Sequence, residues 1–286
     1  MAVRQQIDPG RIHPLREGPE RPGPILYWMS RDQRADDNWA LLHARARALG
    51  TKAPLGVVFC LVPDFLGATE RQYAFMLRGL AETETRLRSR NIPFFLLRGA
   101  PGDEIPRFVR KTGASRLVTD FDPLRVKRAW REEIARKVRV PFDEVDAHNI
   151  VPCRVASPKR EFGAYTIRPR IHRQLPEYLT TFPRLPEHPV DWPGAVPGVD
   201  WKKTSRSLRF ARSVPEVPRL APGTRAAKRV LRRFLDRRLW RYAETSNDPN
   251  AESRSELSPY LHFGQIAPQR VALAVQKAVA AKEARD

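Results

Sequence analysis

The sequence is poor in cysteine and has no long apolar run. Its 286 residues include 2 cysteines, Cys60 and Cys153, which lie far apart and in no metal-binding motif, so neither a disulfide framework nor a zinc site is predicted. The longest apolar stretch, residues 55–62, is too short to span a bilayer, and the N-terminal segment lacks the apolar core of a signal peptide. We therefore expect a cytoplasmic protein without a membrane partner.

Acidic residues are also scarce relative to basic ones. There are 52 Lys and Arg against 32 Asp and Glu, which leaves a formal net charge of +20. A charge of this sign attracts polyanions, nucleic acid first and anionic membranes second. An apolar fraction of 41% with 9% aromatic residues indicates a folded chain, and the length predicts two domains.

Short apolar runs alternate with amphipathic segments through the first half of the chain. Five such runs, rich in Val, Phe, Ile and Leu, predict a Rossmann-like α/β domain with a doubly wound parallel sheet of five strands. If the strand order is 3-2-1-4-5, the first and fourth strands flank the ligand crevice. The predicted organisation is a flexible leader over 1–24, the α/β domain over 25–150, a proline-rich interdomain linker over 151–224 and a helical unit over 225–286. In the last unit, helices are predicted from Ala226, after Pro259 and from about Pro268 to Lys282.

Polar residues follow the predicted first and fourth strands, at the sheet edge where doubly wound proteins bind ligands. No glycine-rich phosphate loop follows the first strand, which disfavours an ordinary dinucleotide or nucleoside triphosphate site. The alternative is that these side chains only cap helices and bridge loops. His148 is expected to have a structural role and Cys60 to be a core thiol. The candidate ligand rim comprises Met29, Ser30, Arg31, Asp32, Gln33, Arg34, Asp120 and Asp122.

Basic residues are concentrated between residues 202 and 241. This stretch has fourteen Lys and Arg and two acids, Glu216 and Asp236. On the helix from Ala226 the cations lie mostly off the apolar stripe, which favours phosphate binding, although a solvated basic surface is the alternative. The candidate DNA-binding residues are Arg229, Arg232, Arg233 and Arg237.

The segment over residues 253–266 has the pattern of a helix start. Ser258 is predicted as the N-cap and Pro259 as the first helical residue, which would present backbone amides at the positive end of a helix. With the hydroxyls of Ser253 and Ser255 and the Arg254 cation, this place fits a pyrophosphate.

Five segments occur along the chain in this order: YWMSRDQRADDNWALLHAR, RQYAFMLRGL, LVTDFDPLRVK, EVDAHNIVPC and LSPYLHFGQI. Together they resemble the class II cyclobutane pyrimidine dimer photolyases of the photolyase and cryptochrome family, from about residue 25 to the end of the sequence. The resemblance implies an antenna domain, a linker and a helical FAD-binding domain, in an enzyme that repairs DNA containing pyrimidine dimers. Reduced, photoexcited FAD donates an electron to a flipped-out dimer, the ring splits and the electron returns.

The resemblance also assigns residues. FAD would be held by Tyr242, Arg254, Ser255, Glu256, Leu257 and Ser258, and an antenna chromophore of the deazaflavin or folate type would lie at the candidate ligand rim. Family members continue far beyond the last residue of this sequence, so the resemblance implies a C-terminally truncated chain whose catalytic residues are absent. We expect the chain to be inactive alone, with a second polypeptide as one way to complete it. The alternatives are a flavin photoreceptor and a nucleic-acid-binding module without chemistry.

Overall fold

The computed structural model describes residues 7–208 and 214–284, and its centre is a sheet with the strand order β1-β6-β5-β2-β3-β4. The strands are β1 (Ile12–Arg16), β2 (Ile25–Met29), β3 (Leu55–Leu61), β4 (Phe94–Arg98), β5 (Arg116–Asp120) and β6 (Phe142–Val145). β2 to β6 are parallel, which confirms the predicted parallel sheet of five strands, and they lie in the 3-2-1-4-5 order on which the choice of the ligand rim depends. The sixth strand, β1, was not predicted.

Helices cover both faces of the sheet. Those described are α1 (Trp39–Thr51), α2 (Glu70–Arg88), α3 (Pro101–Thr112), α4 (Arg125–Lys137), α5 (Cys153–Ala156), α6 (Ala164–Tyr178), α7 (Trp201–Arg206), α8 (Thr224–Arg237), α9 (Tyr242–Thr245), α10 (Ser258–His262) and α11 (Pro268–Glu283). Tyr27 packs with α1 and α2 on one face, whereas Trp28, the next residue of β2, packs with α3 and α4 on the other. This alternation explains why β2 and β3 are apolar throughout.

The prediction of a flexible leader over 1–24 is wrong for residues 12–16, which form β1 antiparallel to β6, with Ile12 opposite Val145. Arg11, just before β1, is 3% exposed, and its guanidinium donates to backbone carbonyls in the segment after β6. In the sequence Pro14 indicates a flexible segment, but proline is tolerated in an edge strand. In addition, the register of this strand is irregular between Pro14 and Arg16. Residues 1–6 lie outside the described part.

The segment predicted as an interdomain linker contains α5, α6 and α7, and residues 209–213 lie outside the description. Phe182 and Leu185 are buried against the α/β core. The Trp201 indole donates a hydrogen bond of 2.6 Å to Glu84 on α2. The segment therefore packs against the α/β unit.

The C-terminal helices pack against α2. Ala227, Leu231 and Phe234 of α8 form a cluster with Phe75 of α2 and with Tyr260. All three predicted helices are present, but α8 ends at Arg237, before Leu239 and Tyr242, which continue the helix's apolar spacing in the sequence. Those residues continue in a 3-10 turn, Leu239–Arg241, and in α9. Residues 285 and 286 lie outside the description.

Candidate functional site

The loop after β2 is organised by the Asp120 carboxylate at the end of β5. Asp120 accepts hydrogen bonds from the Tyr27 hydroxyl at 2.9 Å and from the backbone amides of Ser30, Arg31 and Asp32 at 3.0 to 3.1 Å. Burial, together with the nearby charge of Asp32, raises the pKa of Asp120, whereas the three amides oppose that rise. Asp120 therefore fixes the backbone of this loop.

A second buried group lies beside it. The Arg34 guanidinium donates to the Asp32 carboxylate, and His148 Nδ1 lies 3.2 Å from the same carboxylate oxygen. Burial favours the neutral form of Asp32, but Arg34 and His148 outweigh it and lower its pKa to about 2. Arg34 also donates to the carbonyls of Ala147 and Gly264, so it joins the α/β unit to the C-terminal helices.

A cavity of about 560 Å³, called here the carboxyl-edge cavity, opens between the sheet and the C-terminal helices. This volume lies in the range of small-molecule sites. Of the candidate ligand rim, four residues line it: Ser30, Arg31, Gln33 and Asp122. The other four do not: Met29 lies in the core, Asp32 and Arg34 bind each other, and Asp120 holds the loop.

Lys127 on α4 is a lining residue that the sequence analysis missed. Its ammonium donates to the Ser30 hydroxyl at 2.9 Å and lies 5.2 and 5.0 Å from the ring centroids of Phe65 and Trp130. Burial lowers the pKa of Lys127, although Asp122 acts in the opposite direction. Its only sequence signal is its place four residues after Pro123, which follows the predicted fourth strand.

The cavity also contains an unused acceptor. The Gln33 side-chain oxygen is buried and has no hydrogen-bond partner within the described part of the chain. A half-buried cation, an orphaned oxygen on a lining residue and aromatic walls suit a planar ligand that carries both an acidic group and an N–H donor.

The prediction that Ser258 is an N-cap is wrong. Ser258 is the first residue of α10, Leu257 takes the cap position, and no side chain caps this five-residue helix. The cause is tertiary: Leu257 is 1% exposed in the helical core, and the Tyr260 hydroxyl donates to the Ala221 carbonyl at 2.7 Å. Ser258 lines the carboxyl-edge cavity.

Of the other predicted flavin-binding residues, Tyr242, Arg254 and Glu256 are exposed on the helical unit, Ser255 is half-buried and Leu257 is buried. Tyr242 is 44% exposed and packs edge-on to Phe234 at 5.6 Å. Arg238 donates to the Arg254 carbonyl and pairs with Glu256, which fixes the backbone of this segment. The hydroxyl oxygen of Ser255 accepts a long hydrogen bond of 3.4 Å from the Leu257 amide.

The candidate DNA-binding arginines are all exposed on α8, and within the described residues none is in an ion pair: Arg229, Arg232, Arg233 and Arg237. Two further cations of the basic run, Arg209 and Arg212, lie outside the described residues. Over residues 7–208 and 214–284, no helix is long and apolar enough to cross a membrane. The same residues show no cluster of three potential metal ligands.

A doubly wound sheet, a ligand-sized cavity at its carboxyl edge and a helical unit against that cavity define a class of two-part proteins that can hold a small molecule at the junction. The family model for DNA photolyase matches residues 25–189, and the chain belongs to this family.

Two relatives are deoxyribodipyrimidine photo-lyases. The one from Potorous tridactylus is 48% identical over 255 residues, which cover 88% of this chain and 48% of that protein. The one from Arabidopsis thaliana is 44% identical over 292 residues, which cover 97% of this chain and 59% of that protein. The chain therefore spans about half the length of the curated relatives it matches.

Solved structures confirm the fold class. The cryptochrome of Synechocystis sp. PCC6803 is similar with a TM-score of 0.73 at 16% identity, over 91% of this chain and 56% of that one. A class III photolyase from Agrobacterium tumefaciens is similar with a TM-score of 0.67 at 21% identity, over 90% of this chain and 54% of that one.

Proposed function

We propose that this protein acts in light-dependent DNA repair as a class II photolyase, splitting cyclobutane pyrimidine dimers by electron transfer from reduced FAD. The observation that carries the proposal is 48% identity to a deoxyribodipyrimidine photo-lyase over 88% of the chain. The five ordered segments of the class II type support the finer assignment.

FAD is proposed as the cofactor, and it would supply the photoexcited electron. A structurally similar archaeal photolyase from Sulfolobus tokodaii contains two FAD molecules. In this chain Arg254 would pair with the cofactor's phosphates, since its exposed guanidinium is in no ion pair within the described residues. Ser255 and Ser258 would donate hydroxyl hydrogen bonds to the same phosphates, and Tyr242 would contact the cofactor through its exposed ring. Glu256 and Leu257 would shape the backbone there, because Glu256 has a φ of 59° and Leu257 is anchored in the core.

The carboxyl-edge cavity is proposed as the site of an antenna chromophore of the deazaflavin or folate type. Lys127 would pair with the acidic group of such a ligand, because the cavity shields this ammonium from water. Gln33 would accept a hydrogen bond from a ring N–H, and Phe65 and Phe263 would contact the ring.

The exposed arginines of α8 are proposed to bind the DNA backbone. Their guanidinium groups are free of ion pairs within the described residues, so binding a phosphate would break no internal contact.

The decisive experiment joins this chain to the remaining helical domain of the Arabidopsis relative. We expect this chimera to copurify with FAD and to split thymine dimers in an oligonucleotide under blue light but not in the dark. The unaltered relative is the control for the assay. A chimera that binds FAD without repairing DNA would favour a photoreceptor, and one that binds DNA without FAD would favour a nucleic-acid-binding module.

A further inference from the structure

A second cavity lies elsewhere on the molecule and shares no lining residue with the carboxyl-edge cavity. It has a volume of about 630 Å³ and lies between the end of α2, residues 182–185, α8 and α11. We call it the α2–α8 cleft.

The α2–α8 cleft has a large excess of positive charge. Two of its cations are neutralised by two-point ion pairs, Arg86 with Asp36 and Arg270 with Asp37. Four further cations in the lining are in no ion pair within the described residues: Arg90, Arg184, Lys228 and Arg232. The Nε of Arg90 is buried without a hydrogen-bond acceptor, so one donor at this place is left unsatisfied.

The cleft also has an apolar wall. Phe182 is 9% exposed, Leu185 and Leu231 are each 5% exposed, and Leu235 completes this side. Unpaired cations beside apolar side chains are the usual composition of a site for a small molecule with a charged end and an apolar end.

The spacing on α8 separates this cleft from the proposed DNA-binding face. Lys228, Leu231, Arg232 and Leu235 line the cleft at three- and four-residue intervals, which place them on one side of the helix. Arg229, Arg233 and Arg237 are absent from the lining, so Arg232 alone of the candidate DNA-binding arginines belongs to it. A concave site of this volume admits a small molecule, and three of the four candidate DNA-binding arginines lie outside it.

We propose that the α2–α8 cleft binds a nucleoside di- or triphosphate. Guanidinium groups bind phosphate oxygens through pairs of parallel hydrogen bonds, and Arg90, Arg184 and Arg232 supply three such groups, with Lys228 as a fourth charge. The nucleoside lies against Leu231 and Leu235. Neither the antenna site nor the photolyase activity is needed for this binding.

The test uses the full 286-residue chain, with ATP and inorganic pyrophosphate as probes in calorimetric titrations at 0.15 M salt. We expect saturable binding of one ATP per chain, with pyrophosphate weaker. The double variant Lys228→Gln with Arg232→Gln should weaken ATP binding at least tenfold. The matched control, Arg229→Gln with Arg233→Gln, removes the same charge from the neighbouring face of the helix and should change the Kd less than twofold.

Three results would overturn the proposal. If ATP shows no saturable binding, the α2–α8 cleft is not a nucleotide-binding site. Equal weakening in both double variants would mean that ATP responds only to the overall charge of α8. Pyrophosphate binding as tightly as ATP would mean that the apolar wall contributes nothing. Circular dichroism checks folding, and all four substituted residues are exposed, so the variants should fold.

Discussion

Asp32 and Asp120 are neighbouring carboxylates whose pKa values move in opposite directions. Asp32 lies beside Arg34 and His148, which stabilise its charge, whereas burial and the charge of Asp32 itself disfavour ionisation of Asp120. Each therefore stabilises the loop by a different interaction, a charge pair for Asp32 and backbone amides for Asp120.

The lowered pKa of Asp32 predicts a contribution to acid stability. Its value of about 2 lies below the ordinary 3.8, so the stabilisation is fully present above about pH 4 and is lost as the pH falls through about 2. A shift of this size corresponds to about 2 kcal/mol. We expect Asp32→Asn to be less stable at pH 6 and to lose less of its free energy of unfolding than the parent between pH 5 and pH 2.5, as measured by urea unfolding.

The control for this measurement is Asp64→Asn, at an exposed aspartate, which should keep the parent's pH dependence. If the free energy of unfolding of Asp32→Asn falls with decreasing pH as steeply as that of the parent, the prediction that Asp32 is ionised in the folded protein is wrong.

Part of the stretch predicted as the ligand rim lines the carboxyl-edge cavity, and the rest of it holds the loop together. Ser30 and Gln33 reach the cavity, whereas Asp32 is turned to His148, a partner that lies 116 positions away in sequence. Lys127 was missed because nothing local shows that its ammonium lies beside the rings of Phe65 and Trp130. Contacts between distant segments decided both cases.

Among the larger elements, the turn between α10 and α11 joins the helical unit to the loop after β2. Gly264 has a φ of 62°, and a Cβ at this position would collide with the backbone of Arg31, Asp32 and Gln33. Its carbonyl accepts from Arg34 at 3.0 Å. The close approach of the two backbones therefore requires glycine.

Gly264→Ala is expected to destabilise the protein by about 2 to 4 kcal/mol, because it adds a backbone collision to the cost of a positive φ. Gly67→Ala is the matched control: its φ is 71°, and no atom lies within 4 Å of the added Cβ, so it should cost only about 1 kcal/mol. Both are measured by urea unfolding. If the two variants lose the same free energy of unfolding, the two backbones at Gly264 can move apart to admit the added Cβ without strain.

For α8 we expect sequence-independent binding to duplex DNA that weakens steeply with salt, since each neutralised phosphate releases counterions. The slope of log K against log salt is negative, and changing all four candidate arginines to glutamine should reduce its magnitude by up to about 4. Four exposed arginines on α3 and α4 serve as the control with the same loss of charge: Arg110, Arg125, Arg128 and Arg136.

A slope that stays unchanged in the α8 variant, or that falls equally in the control, would identify the α8 face as a solvated surface. Because Arg232 also lines the α2–α8 cleft, a variant of Arg229, Arg233 and Arg237 alone separates the two sites.

Elements with local signals were predictable, and those made by distant pairing were not. The five apolar runs predicted the parallel strands, because four of these strands, β2, β3, β5 and β6, are buried almost throughout. β1 has only the pattern of a polar, proline-containing segment, and it is a strand because β6 and the buried Arg11 hold it there. The end of α8 at Arg237, ahead of Leu239 and Tyr242, likewise had no local signal.

For the molecule as a whole, we expect the 286 residues expressed by themselves to purify without FAD. Tyr242 and Arg254 are exposed, and each hydrogen bond exchanged with water contributes only about 0.5 to 1.5 kcal/mol. A few such bonds fall short of the roughly 8 kcal/mol of micromolar binding. Absorbance in the flavin band relative to protein measures this. Stoichiometric flavin would mean that these residues form a far stronger site than their exposure indicates.

The pairing of β1 with β6 also constrains the order of folding. Ile12 is synthesised before its partner Val145, which emerges only after the intervening α/β segments have been translated. β1 therefore cannot pair with β6 until those segments have been made. Until β1 docks, the edge of β6 is open to pairing with other chains, so β1 also protects the sheet from aggregation.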